Sequence, residues 1–197
     1  MKANRTYQMG ARAEAVEATR ERIARAAAEL FMEQAFEDVT LVGIAKAAGV
    51  SHQTVLNHYG SKEGVVLGAV EILGAETMSA RSAAEPGDVP GAVHALVGEY
   101  ERMGDSNFRW AATADRLGDL ASLLDDARAG HQAWLVSMFG EALPTSRVAR
   151  RRAVHALHAA TDVYTWKLFR RDLRLSRAET EKLMADLVVG VLEGGSR

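Results

Sequence analysis

VTLVGIAKAAGVSHQTVLNHYGSK, residues 39–62, decides how the rest of the chain is read. Thr40 is placed to cap a helix with its hydroxyl, and Leu41, Ile44, Ala45 and Ala48 follow at the spacing of one buried helical face. Gly49 suits the left-handed residue that ends such a helix, because it has no Cβ to clash there. Val50 then fills the angle between two short helices, and Ser51 can cap the second. That second helix carries His52, Gln53, Thr54, Asn57 and His58, side chains that donate and accept hydrogen bonds but have little use in a core. The pattern predicts a helix-turn-helix with a recognition helix from Ser51 onward.

Charge distribution supports this reading more than total charge does. The formal net charge of the chain is -2, which by itself does not point to nucleic acid. Yet residues 39–62 contain no Asp or Glu, and neither does the leader Met1–Ala13, which carries Lys2, Arg5 and Arg12. With charged residues making up 25% of the chain, two acid-free runs mark surfaces suited to a polyanion, although short runs of this kind also arise by chance.

The order Thr40, Ile44-Ala45, Ala48-Gly49-Val50-Ser51, Thr54-Val55, then His58-Tyr59-Gly60-Ser61-Lys62-Glu63 resembles the DNA-binding signature of tetracycline-repressor (TetR) family regulators. The resemblance covers about the first third of the chain. It implies an all-α homodimer: an N-terminal three-helix DNA reader followed by a C-terminal domain for effector binding and dimerisation. The implied division is 1–62 and 63–197. Three positions depart from the pattern: Leu56 replaces a usual tyrosine, Tyr59 a usual phenylalanine, and Ala35 a common turn glycine. The implied partners are double-stranded operator DNA, a second copy and an unidentified small-molecule effector. No cofactor is implied.

Working outward, 197 residues with 48% hydrophobic side chains suffice to bury a core. The absence of cysteine excludes disulfides and thiolate metal sites. No apolar run approaches the roughly 20 residues of a membrane span, and no signal-like apolar segment follows the basic leader, so a cytoplasmic protein without a membrane partner is expected. Pro86, Pro90 and Pro144 fall between helical patterns, and no convincing strand alternation occurs. The expected helices cover about 13–34, with Ile23, Ala26, Ala27, Leu30 and Phe31 inward; 62–80; 92–103; 107–118; 120–143; 145–172; and a last one opened by the capping box Ser176-Arg177-Ala178-Glu179. Gly104-Asp105-Ser106 reads as a stop and restart, and Glu85–Gly91 as a loop.

Ser61 can cap the helix that begins at Lys62, where a lysine opposes the helix dipole and a bound phosphate would supply the reason for it. Gln53 suits adenine, with His52, Thr54 and Asn57 near base edges and Thr40, His58 and Lys62 near phosphates. Ala153, Ala156 and Ala160 on the penultimate helix and Leu183, Leu187 and Val191 on the last are the expected dimer contacts, chiefly because the resemblance places the interface there. Met103, Phe108, Trp110, Trp134, Met138, Tyr164 and Trp166 either line an effector pocket, with His131 and Asp162 as polar contacts, or form ordinary core. His155, His158 and Asp162 share one helical face, but three ligands on one helix make a weak metal signal. No catalytic motif is present, so a ligand-independent DNA-binding regulator and a helical metal-dependent enzyme stand as alternatives, the second remote.

Overall fold

A computed structural model describes residues 2–113 and 118–194, without the side chains of 2–11 and of Asp119. The described residues are helical, with no strand among them. They form two compact units, Met1–Glu76 and Thr77–Arg197, whose boundary falls inside a helix.

In the N-terminal unit, α1 spans Lys2–Glu33, α2 Leu41–Ala48 and α3 His52–Tyr59, and α4 (Lys62–Arg81) contributes its first turns. The leader thus joins α1 well before Ala13; the side chains of Lys2 and Arg5 lie outside the described residues. Ile23, Ala27 and Phe31 of α1, Ile44, Ala45 and Ala48 of α2, and Val55 of α3 are buried. Leu30, expected in the α1 stripe, is half-buried. Phe36 stacks on Phe31 with ring centroids 6.1 Å apart. Thr40 caps α2, accepting the Gly43 N–H at 3.0 Å. Gly49 adopts φ 66°, and the Val50 N–H returns to the Ala45 carbonyl, closing the helix as a left-handed glycine allows. Val65, Val66 and Ala69 are buried, and Gly68 lies so close to the Tyr59 ring that a Cβ there would sit 2.6 Å from it. These contacts assign the start of α4 to this unit.

The C-terminal unit contains α5 (Val89–Ala112), α6 (Ala121–Phe139) after a 3-10 turn Gly118–Leu120, α7 (Arg147–Thr161), α8 (Val163–Lys167) with a π turn Leu168–Asp172, and α9 (Arg177–Gly194). Leu96, Val97, Leu135, Leu157, Trp166, Met184 and Val188 centre its core. Three expectations are corrected. The loop after Glu85 ends at Asp88, whose carboxylate caps α5 by accepting the Gly91 N–H, with Pro90 in the first turn. Helix α5 does not stop at Gly104: that glycine is buried against Trp166, whose ring would lie 2.5 Å from an added Cβ, so it serves close packing rather than chain reversal. The long helix expected over 145–172 breaks at Asp162, which is extended (ψ 154°) and caps α8 by accepting the Tyr164 N–H at 2.9 Å. Ala114 and Leu117, expected on a short helix, lie outside the described residues. The Ser176/Glu179 capping box forms as expected, with reciprocal bonds of 3.0 and 3.2 Å.

Candidate nucleic-acid interface

Helix α3 is short, and its geometry is set at both ends. Ser51 accepts the Thr54 N–H at 3.0 Å, and the two hydroxyls share a hydrogen at 2.8 Å. Gly60 ends the helix with φ 73°. Val55 alone is fully buried, while His52, Gln53 and Asn57 are exposed and Thr54, Leu56 and His58 half-buried. Gln53 Nε2 donates to Asn57 Oδ1 at 3.0 Å, so the two amides are held side by side one turn apart. They retain an amide oxygen on Gln53 and an amide NH2 on Asn57 for an outside partner.

Tyr59, which the sequence marks only as a departure, anchors the end of α3. Its hydroxyl donates to the Arg20 carbonyl at 2.9 Å, and the Arg20 guanidinium lies 4.7 Å from its ring centre. Partial burial raises its pKa. Arg20 also donates to the His58 carbonyl at 3.4 Å, and Arg22 to the Ala48 carbonyl at 3.0 Å, so α1 holds the ends of both α2 and α3. A pair of arginines on the solvent side of a scaffold helix was the available signal, but it could not reveal distant carbonyl partners.

Lys62 is turned differently from the expected phosphate contact. Its ammonium donates to the Phe36 carbonyl and lies 4.1 Å from the Phe36 ring centre, and desolvation lowers its pKa. The cation at the helix start therefore has an internal reason: it ties α4 to the α1–α2 connection. Thr40 is exposed, and its oxygen serves the α2 cap while its hydroxyl hydrogen stays available to donate.

Residues 23–69, which contain α2, α3 and the start of α4, match the family model for bacterial regulatory proteins of the tetR family. This N-terminal stretch is a TetR-family DNA-binding domain. The fold of the chain is similar to the crystal structure of a tetR-family transcriptional regulator from Streptomyces coelicolor: TM-score 0.76 and 16% identity, over 91% of this chain and 82% of that one. At that identity the likeness carries the fold alone. Among proteins with curated descriptions, none matches the sequence.

The C-terminal unit scatters the nine expected effector contacts. Trp134, Met138 and Trp166 are packed into its core, and Met103 is buried as well. Phe108 and Trp110 are half-buried, and Tyr164 is exposed with its ring edge-on to Phe108 at 5.3 Å. His131 belongs to a buried polar chain that the sequence did not disclose. Arg81 and Glu99 form a two-pronged ion pair (2.7 and 3.2 Å), and Arg81 Nη1 donates to His131 Nδ1 at 3.0 Å. Because arginine has only donors, His131 must be the neutral tautomer with its proton on Nε2, which faces Thr161 Oγ1 at 2.8 Å. Burial, then the Arg81 charge, push its pKa down to about 3. Beside it, His158 bonds to Asp162 at 3.0 Å and to Gln132 at 3.2 Å, while His155 is exposed. No group of metal-ligating side chains occurs among the described residues. A charged residue inside the apolar run of α5, Glu99 between Leu96-Val97 and Tyr100, was the signal for this network.

A surface recess of about 370 Å³ is lined by Ala80, Ala83, Gly91, His94, Ala95, Gly98, Glu99, Arg102 and Arg177, none of them an expected effector contact. The expected dimer residues also divide. Ala153 and Ala160 are buried within the subunit's own core, and Val191 packs against it. Ala156, Leu183 and Leu187 face outward. Ala153 and Ala160 of α7 thus serve its own bundle, and Ala156 does not. No described helix is long and apolar enough to cross a membrane.

Proposed function

We propose that the chain is a homodimeric repressor that reads an inverted-repeat operator through α3 and lets it go when a small molecule occupies the C-terminal unit. The observation that carries the DNA half is the exposed row His52, Gln53 and Asn57 on a helix capped at both ends, in a stretch without a carboxylate. Two such helices related by a dyad would enter successive major grooves about 34–36 Å apart. Selection of bound duplexes from a random pool tests this reading and should return an inverted repeat. Gln53→Ala should then relax preference at one base pair by about 1–3 kcal/mol, and His58→Ala should weaken binding on all sequences alike. Unchanged affinity and preference in Gln53→Ala and Asn57→Ala together would remove α3 as the reader.

The packed positions of Trp134, Met138 and Trp166 favour a second reading, a DNA-binding regulator without an effector. A compound that binds the C-terminal unit and lowers operator affinity decides for the first.

A further inference from the structure

The surface recess of about 370 Å³ in the C-terminal unit is walled mainly by small residues of two helices. Gly91, Ala95, Gly98 and Arg102 fall at i, i+4, i+7 and i+11 on one face of α5, and Ala80 and Ala83 line the recess from the end of α4. Arg81, between those two alanines, turns the other way and holds Glu99 of α5 with bonds of 2.7 and 3.2 Å. Side chains no larger than alanine leave the space between the helix walls unfilled, and its volume is that of a small-ligand site.

Charge around this space is not balanced. Glu99 accepts from Arg81 through both of its oxygens, so its charge is matched. Glu181 pairs with two of the lining residues, Arg177 Nε at 2.7 Å and His94 Nδ1 at 3.2 Å. Arg102 is exposed and bonds to none of the described residues. The Nη2 of Arg177 lies 3.4 Å from where a Cβ on Gly98 would stand, so this edge of the guanidinium is laid over the recess while Nε serves Glu181. A cation entering here meets carboxylates that are already paired, whereas an anion meets two guanidinium groups with donors to spare.

We propose that the recess binds an organic monocarboxylate, its carboxylate seated between Arg102 and Arg177 and its apolar body against Ala80, Ala83 and Ala95. One negative charge matches the one lining cation left without a counterion. Gly98, beside Arg177, and Arg102 are about one helical turn apart, roughly 6 Å, so both guanidinium groups can reach one carboxylate. A bare inorganic anion would use the arginines but leave the apolar walls wet. None of the effector contacts expected from the sequence lines this site. It deepens the effector half of the proposed function and rests on that reading only for its consequence at the operator, since an occupant touching Ala80 bears on the last turn of α4.

Isothermal titration calorimetry of the full chain with 1-naphthoate, octanoate, neutral 1-naphthamide and inorganic phosphate tests this. Both carboxylates should bind, 1-naphthoate at least about tenfold tighter than 1-naphthamide. R102A should weaken both carboxylates at least about tenfold and leave 1-naphthamide within about twofold. A95L fills the recess and should weaken all three organic probes at least about tenfold. Circular dichroism and the urea midpoint verify the fold, and should A95L lower the midpoint, R102A decides alone. Failure of both carboxylates to bind at about 5 mM, or Kd values that stay within about twofold in R102A, overturns the site. Inorganic phosphate binding as tightly as the carboxylates overturns it too, as does a changed oligomeric state in A95L, which would give this face to a second copy. Carboxylate binding that follows the variants while operator affinity stays fixed upholds the site and sinks the effector half of the proposed function instead.

Discussion

At the scale of single residues, side chains with the same chemistry are put to different uses by burial. Gln53 and Asn57 face outward and hold each other at 3.0 Å, whereas His131 has both nitrogens committed inside the protein. The consequence for His131 is a pH dependence with a definite sign. Its folded pKa, about 3, lies below the ordinary histidine value of 6.5, so folding favours the neutral ring. The stability it contributes is complete above pH 6.5 and is lost progressively as pH falls from 6.5 towards 3. At pH 5 the loss is about 2 kcal/mol. All three tryptophans, Trp110, Trp134 and Trp166, lie in the C-terminal unit, so their fluorescence during denaturant unfolding reports on it. His131→Gln keeps an acceptor and a donor without titrating. Between pH 7.5 and 5 the wild type should lose about 2 kcal/mol more than this variant. Equal losses would mean that the ring is charged in the folded state. The exposure of His52, Gln53 and Asn57 was legible in the sequence because polar side chains on a short helix are a local signal. The sequence did not disclose the partners of Lys62, since the carbonyl and ring that hold it belong to Phe36, in a connection whose path no local pattern sets.

Elements were legible where caps and periodicity act within a few residues. Helices α2 and α3 begin at their capping hydroxyls and α2 ends at a left-handed glycine, as the spacing predicts. Helix α5 was misread because Gly104 resembles a breaker, while its real constraint is the Trp166 ring, 62 positions away. The break after Thr161 did carry a local signal, Asp162 as a cap, but the alanine-rich pattern before it masked the boundary. The connection after α8 shows the same competition. Helical bonding widens there into a π turn over Leu168–Asp172, and Arg174 follows at φ 59°. Bidentate pairs of Arg170 with Glu101 (2.6 and 3.0 Å) and Arg171 with Asp105 (3.0 and 2.9 Å) hold the turn to α5. A side chain in the left-handed region costs about 1 kcal/mol that glycine avoids, partly offset by glycine's greater freedom in the unfolded chain. Arg174→Gly should therefore stabilise the C-terminal unit by about 0.5 kcal/mol, measured as a shift of the urea midpoint at unchanged slope. A destabilised variant would show that the Arg174 side chain makes a contribution larger than the strain.

For the whole molecule, the two halves of the proposed function meet different structural conditions. The polar row proposed to read DNA is exposed on α3, whereas the C-terminal unit presents a packed core and a buried Arg81–Glu99–His131 chain where a pocket was expected. An effector that uses His131 must therefore open this chain, and its apparent affinity is reduced by the fraction of molecules in which it is open. Trp134 is the natural reporter, since Arg81 lies 4.9 Å from its ring centre and His131 stacks on it at 5.8 Å. Helix α4 runs unbroken from Lys62 to Arg81 and belongs to both units, so a change at Arg81 acts on an element that the DNA-binding unit also uses. If a compound prefers the opened state and the operator prefers the closed one, each must weaken the other by the same factor. A coupling of about 1–3 kcal/mol corresponds to roughly 5-fold to 150-fold release. Compounds that quench tryptophan fluorescence should be titrated against the operator complex, and operator DNA against the compound complex. An equal fold-increase in both Kd values identifies an inducer. Tight binding that leaves operator affinity unchanged would reject the compound, and the same result for every quenching compound would favour the effector-independent regulator.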